Sequence, residues 1–64
     1  MFNRYWIMIY KPETDTIITE SKYYATVLGA SHDAKKFVNF LRTGYAILIC
    51  KLEEGLVKMV KEIK

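Results

Sequence analysis

Every position from Tyr5 to Tyr10 is apolar or aromatic, so strand alternation puts Tyr5, Ile7 and Ile9 on one face and Trp6, Met8 and Tyr10 on the other. A strand over about 4–11 with two apolar faces is covered on both sides or central in its sheet. Pro12, Glu13, Thr14 and Asp15 then break the pattern with turn chemistry, since proline presets φ and aspartate bonds its own backbone neighbours. A hairpin into a second strand over about 16–20, TIITE, follows.

The next stretch, SKYYATVLGA, has two readings. Tyr23, Tyr24, Thr26 and Val27 favour a strand over about 22–28, the preferred reading. Tyr23, Tyr24, Val27 and Leu28 also fall at helical spacing between a Ser21 cap and Gly29. ASHDAKKFVNFLRTG is a helix over about 32–43, with Ser31 as N-cap, Asp33 in the first turn and Gly44 free to take the left-handed position after its end. Ala34, Phe37, Val38, Phe40 and Leu41 fill one side of it; His32, Lys35, Lys36, Asn39 and Arg42 fill the other.

YAILICKL predicts a strand over about 45–52. LEEGL fits a three-residue hairpin loop closed by glycine, with Leu52 opposite Leu56, Ile49 opposite Met59 and a last strand over about 56–63. A helix from Glu53 with Leu52, Leu56, Met59, Val60 and Ile63 as its stripe competes, but no N-cap residue stands where it would start. Strands grouped around one helix make residues 1–64 a single small α+β domain: an antiparallel sheet of four to five strands packed against one helix.

Composition adds a constraint. The chain is 52% hydrophobic, and 14% of it is aromatic, yet a domain this small buries only about 60% of the surface its unfolded chain exposes. Apolar surface is therefore left outside, which favours a homodimer or a protein partner. Ten Lys and Arg against seven Asp and Glu give +3, and the signs are interspersed, unlike the clustered base of a dedicated nucleic-acid binder. Cys50 is the one cysteine, so an intrachain disulfide and a cysteine-ligated zinc site are excluded. Inside YAILIC it reads as a buried small hydrophobe, in keeping with a reducing, cytoplasmic setting. No run approaches the roughly 20 apolar residues of a membrane span, and the apolar segment between Arg4 and Lys11 is short for a signal peptide.

Catalytic chemistry finds no foothold. His32 is the only histidine, so its one candidate thiol partner is Cys50, and Ser31, His32 and Asp33 are consecutive and point too far apart for a relay. Glu13 with Asp15 and Glu53 with Glu54 lie in turns, without the burial that separates carboxylate pKa values. There is no calcium loop or glycine-rich phosphate loop, so neither enzyme activity, a metal nor a cofactor is expected.

Two binding candidates remain. The basic helix face of His32, Lys35, Lys36, Asn39 and Arg42 suits phosphates, and Tyr23 and Tyr24, with Lys22 beside them, suit stacked bases or a protein interface. Ala25, Gly29 and Ser31 partly match a helix-turn-helix, although Lys35 falls where that motif needs an apolar residue. The preferred expectation is a non-catalytic protein-interaction module, a regulator, adaptor or inhibitor that occupies a partner's surface or pairs with itself. An unpaired edge strand at 16–20 or 56–63 could supply the contact. The alternative is a nucleic-acid-binding regulator using the basic helix face.

Overall fold

The computed structural model describes residues 4–64. They run as β1 (Tyr5–Lys11), β2 (Thr16–Tyr24), α1 (Val27–Ala34), β3 (Ala46–Glu53) and β4 (Leu56–Ile63), with α1 continuing as 3-10 helix over Lys35–Thr43. One antiparallel sheet in the order β2-β1-β3-β4 carries the helix on one side, a small α+β fold. β1 is central, as its two apolar faces require, and pairs with β3 without interruption from Tyr5 opposite Lys51 to Tyr10 opposite Ala46.

Beneath the helix, Ile7 and Ile9 of β1 and Ile47 and Ile49 of β3 meet Ala30 and Ala34, all of them buried. The two alanines lie four apart on one helical face, and their small side chains let the helix backbone approach the sheet closely. Val27, Phe37, Phe40, Leu41 and Ile63 close the margins of this core.

The helix starts earlier than the expected 32. Thr26 is extended (φ −134, ψ 155) and its hydroxyl accepts from the Gly29 amide at 3.0 Å, making it the N-cap in place of Ser31. The reason lies in the core: Val27 and Ala30 extend the apolar face of Ala34 by two turns, and docking of that longer face outweighs the local capping signal at Ser31. The stretch 22–28 is accordingly no separate strand: its first half completes β2 and its second half opens α1. The helix also runs unbroken through Gly29, so the turn of a helix-turn-helix is missing.

These caps make opposite predictions for two hydroxyl-bearing positions, Thr26 and Ser31. Thr26→Ala should cost about 1 kcal/mol in urea denaturation through loss of the cap. The Ser31 hydroxyl is buried with no hydrogen-bond partner among the described residues. Ser31→Ala, which removes that unsatisfied group and raises helix propensity, should stabilise by about 0.5–1 kcal/mol, where loss of an N-cap would destabilise.

From Lys35 onward about three residues per turn stack Ala34, Phe37 and Phe40 in one row. That tighter winding swings Val38 away from the core to 44% exposure, although the α-helical period places it inside. Gly44 ends the helix in the left-handed region at φ 85, as expected.

The last hairpin differs from the expected loop. Glu54 (φ 53) and Gly55 (φ 79) form a two-residue turn with both central residues left-handed, the geometry that matches strand twist. Glu53 thus pairs with Leu56 and Leu52 with Val57, not Leu52 with Leu56. A slip of one residue moves every side chain of β4 to the other face, so Val57 and Met59 turn away from the helix and join Leu52 and Cys50.

Candidate interaction surface

The sheet face opposite the helix is built in cross-strand rows. Ile17, Tyr10 and Ala46 form one row; Glu20, Met8, Leu48 and Glu62 the next; Tyr23, Trp6, Cys50 and Met59 the third; Leu52 and Val57 the last. Trp6, Met8 and Cys50 form its buried centre, with Tyr10 and Leu48 packed against them, and no helix residue joins this second cluster among the described residues. Around that centre Ile17, Tyr23, Leu52, Val57 and Met59 are 51–59% exposed. Among the described residues no second layer lies over these large apolar side chains, which form a contiguous exposed patch.

Bulges in the edge strands assemble this face. Ile17 and Glu20, Glu20 and Tyr23, and Met59 and Glu62 are each three residues apart, a spacing that regular alternation sends to opposite faces. The register shifts between Trp6 and Met8, between Ile9 and Tyr10, and between Ile49 and Cys50 restore each pair to one face. At the first shift the Ser21 hydroxyl takes over from a ladder carbonyl, accepting from the Ile7 amide at 2.8 Å while donating to the Lys22 carbonyl at 2.7 Å. The polar group that the bulge frees is thereby satisfied.

The centre of the face is held rigid. The Trp6 Nε1–H donates to Glu20 Oε2 at 2.7 Å, and the Tyr23 ring stands edge-on to the indole, centroids 5.5 Å apart at 86°. Burial pushes the Cys50 thiol up, with the Glu20 charge adding to it, so Cys50 stays a neutral thiol and behaves as a small hydrophobe. Among the described residues the charges at strand positions of this face are Glu20 and Glu62, and Arg4 flanks it one residue before β1.

The sequence-predicted residues fall elsewhere. His32, Lys35, Lys36, Asn39 and Arg42 are all exposed on the solvent side of the helix, across the sheet from the apolar patch. Three-per-turn winding lines Lys36, Asn39 and Arg42 in one row. Beside them an open depression of about 300 Å³ is lined by Asn39, Phe40, Thr43 and Tyr45, with the Lys11 ammonium 5.8 Å over the Tyr45 ring. The structure separates the two candidate tyrosines. Tyr23 joins Trp6 on the open face, whereas Tyr24 pairs with Tyr5 and packs against the helix-covered core, with Lys22 5.6 Å over its ring. Burial and the neighbouring Asp33 carboxylate push the Tyr24 hydroxyl up.

His32 and Cys50 lie on opposite sides of the sheet and cannot act together. Among the described residues no group of three His, Cys, Asp or Glu could hold a metal ion, and no helix is long and apolar enough to cross a membrane. Two of the turn carboxylates, Asp15 and Glu53, are engaged by neighbouring side chains. Asp15 accepts from the Tyr10 hydroxyl and raises its pKa. Glu53 takes Lys51 at 2.7 Å and Lys58 at 2.8 Å, and these two ammonium groups hold its carboxyl at about 2, below the ordinary 4.5.

Because Glu53 is more acidic folded than unfolded, its ion pairs stabilise the fold above pH 4.5, and that contribution is lost as pH falls towards 2. Water screens these exposed groups, so the effect is small. Glu53→Gln should flatten the pH dependence of the urea midpoint in that window while leaving its shape above pH 5 unchanged.

Trp6, Met8, Leu48, Cys50, Leu52, Val57 and Met59 were not legible as one surface because their union depends on hairpin register and bulge position. The one available signal was the doubly apolar pattern of Tyr5–Tyr10: a chain with a single helix covers only one of the two faces that such a strand presents. Comparison with protein-family models, with characterised proteins and with solved structures finds no match to this chain.

Proposed function

We propose that this chain is a non-catalytic protein-interaction module that works by having another protein surface cover its open sheet face. The observation that carries this reading is the ring of half-exposed Ile17, Tyr23, Leu52, Val57 and Met59 around the buried Trp6, Met8 and Cys50. An interface core of this composition is rich in aromatic and methionine side chains and poor in charge, with acids only on the outer strands. The centre is also preorganised, since Trp6 is already fixed by Glu20 and Tyr23, so little side-chain entropy is lost on association.

The face is a better contact than either edge strand. β2 carries two register shifts and β4 carries one together with Lys58 and Lys61, features that blunt an edge against strand addition. A nucleic-acid role for the basic helix face rests on exposed charge alone, which any amphipathic helix presents to water.

The two readings separate in one capture experiment. The wild-type chain, a Val57→Lys/Met59→Lys variant and a Lys35→Glu/Lys36→Glu variant are each used as bait in a nuclease-treated extract of the organism that makes the protein. Val57 and Met59 are both more than half exposed, so their replacement leaves the fold intact. The interaction reading expects a protein retained by wild type and by the helix variant and lost by the sheet variant. Binding that nuclease or the helix variant abolishes, and that the sheet variant keeps, contradicts it.

A further inference from the structure

We infer that the open sheet face takes an amphipathic helix of another protein, its axis along the strands, its apolar stripe over Met8 and Leu48, and lysine or arginine side chains on both of its flanks. This rests on the reading of that face as the interaction surface and names the chemistry of the partner. Two carboxylates carry the assignment. Glu20, Met8, Leu48 and Glu62 form one cross-strand row, so the acids stand at the two ends of a row whose middle is apolar. Among the described residues neither acid has an ammonium or guanidinium partner, whereas Glu53 in the turn takes two. Both acids are exposed, and Glu20 engages only its Oε2 with the Trp6 indole. An apolar strip bounded on both sides by such acids is complementary to an apolar strip bounded on both sides by cations.

The dimensions of the row select a helix. Glu20 and Glu62 lie on the two outermost strands, three inter-strand spacings apart, which is about 14 Å at the backbone. A helix with its side chains is about 10–12 Å across, so one helix fills the width between the acids and its flanking side chains reach them. The other face of the same sheet is likewise covered by one helix, Val27–Thr43. The axis must follow the strands, because only then do the two acids fall on opposite flanks of the stripe. Along β3 the face runs from Ala46 to Leu52, about 20 Å, which is the length of about 13 helical residues with anchors at i, i+3, i+4 and i+7. Arg4 flanks the face beyond the Trp6 row, away from the acid row, and does not lie between the two acids. The charge pairs form at the wet rim, where they orient the partner, while the apolar stripe covers the Trp6, Met8 and Cys50 centre.

Selection from a displayed library of randomised peptides of about 16 residues, long enough for that stripe and its ends, tests this on the immobilised wild-type chain. Val57→Lys/Met59→Lys serves to subtract peptides bound elsewhere. Enriched peptides should carry apolar residues at i, i+3, i+4 and i+7 with Lys or Arg on both sides of that stripe. By fluorescence anisotropy at low salt, labelled copies should bind wild type with a Kd below about 100 μM and the Val57→Lys/Met59→Lys variant at least about 100-fold more weakly. Glu62→Lys, at an exposed position of an edge strand, should weaken binding about 5-fold or more. Glu in place of the cations on one flank of the peptide should restore binding to that variant. Enrichment of peptides without a helical stripe or with acidic flanks overturns the proposal, as does no enrichment, or a Glu62→Lys variant that binds like wild type. If one of these occurs while the capture experiment still retains a protein through Val57 and Met59, only the basic helix is refuted. If the capture experiment fails as well, the interaction reading falls with it.

Discussion

Ile49→Ala is expected to remove about 3–4 kcal/mol of stability, enough to leave a domain of this size largely unfolded at room temperature. Ile49 is fully buried in β3, opposite Ile7 and within the cluster of Ile7, Ile9, Ile47, Ala30 and Ala34. Truncation deletes three carbon atoms where every neighbour belongs to a paired central strand or to the docked helix, so the cavity cannot collapse. Ile49→Val, which deletes one methyl group, should cost about 1 kcal/mol and report the same site without unfolding it. Leu28→Ala is the matched control: Leu28 is 80% exposed on the helix, and its loss should change the urea midpoint by less than about 0.5 kcal/mol. Equal effects at positions 28 and 49 would mean that the helix does not dock where the core places it.

Trp6→Ala should cost a further class of energy, about 3–5 kcal/mol, on the other side of the sheet. The indole is the largest element of the second cluster, and it links three strands: Glu20 and Tyr23 of β2, its own β1, and Cys50 of β3. Its removal deletes the edge-to-face contact with Tyr23 and leaves the Glu20 carboxylate without its donor. Trp6→Phe separates these parts. It keeps an aromatic plate, loses the Nε1–H bond to a charged acceptor and leaves a small void where the larger indole stood, so about 2–4 kcal/mol is expected from urea denaturation. Trp6 is the single tryptophan, which makes wild-type fluorescence a direct report on this face. A Trp6→Phe variant as stable as wild type would show that neither the bond to Glu20 nor the full indole is needed to hold this side of the sheet.

How much of this fold could be read from residues depends on whether the deciding interaction is local. The doubly apolar Tyr5–Tyr10 segment identified a central strand, and Gly44 identified the end of the helix, because periodicity and a left-handed glycine are local signals. The start of the helix was not legible. Ser31 and Thr26 are both competent caps, and the choice between them is made by Ala30 docking on Ile7, Ile9, Ile47 and Ile49, a contact between distant segments. Val38 was misplaced for a related reason, since the passage from α to 3-10 winding at Lys35 leaves no mark in residue type. Register was the costliest ambiguity. Glu54 and Gly55 admit two loops that differ by one residue, and that residue decides which face receives Val57 and Met59. The open face therefore became visible only with the pairing in hand, whereas the basic helix face was evident from the start because helical spacing alone displays it.

Methyl NMR of the labelled protein, recorded as the protein retained in the capture experiment is added, tests directly which face is covered. The face opposite the helix should respond: Met8, Leu48, Leu52, Val57 and Met59 shift together as the partner is added, while Leu28 and Val38 on the helix hold their positions. Shifts confined to Leu28 and Val38, with the open face unchanged, would contradict it.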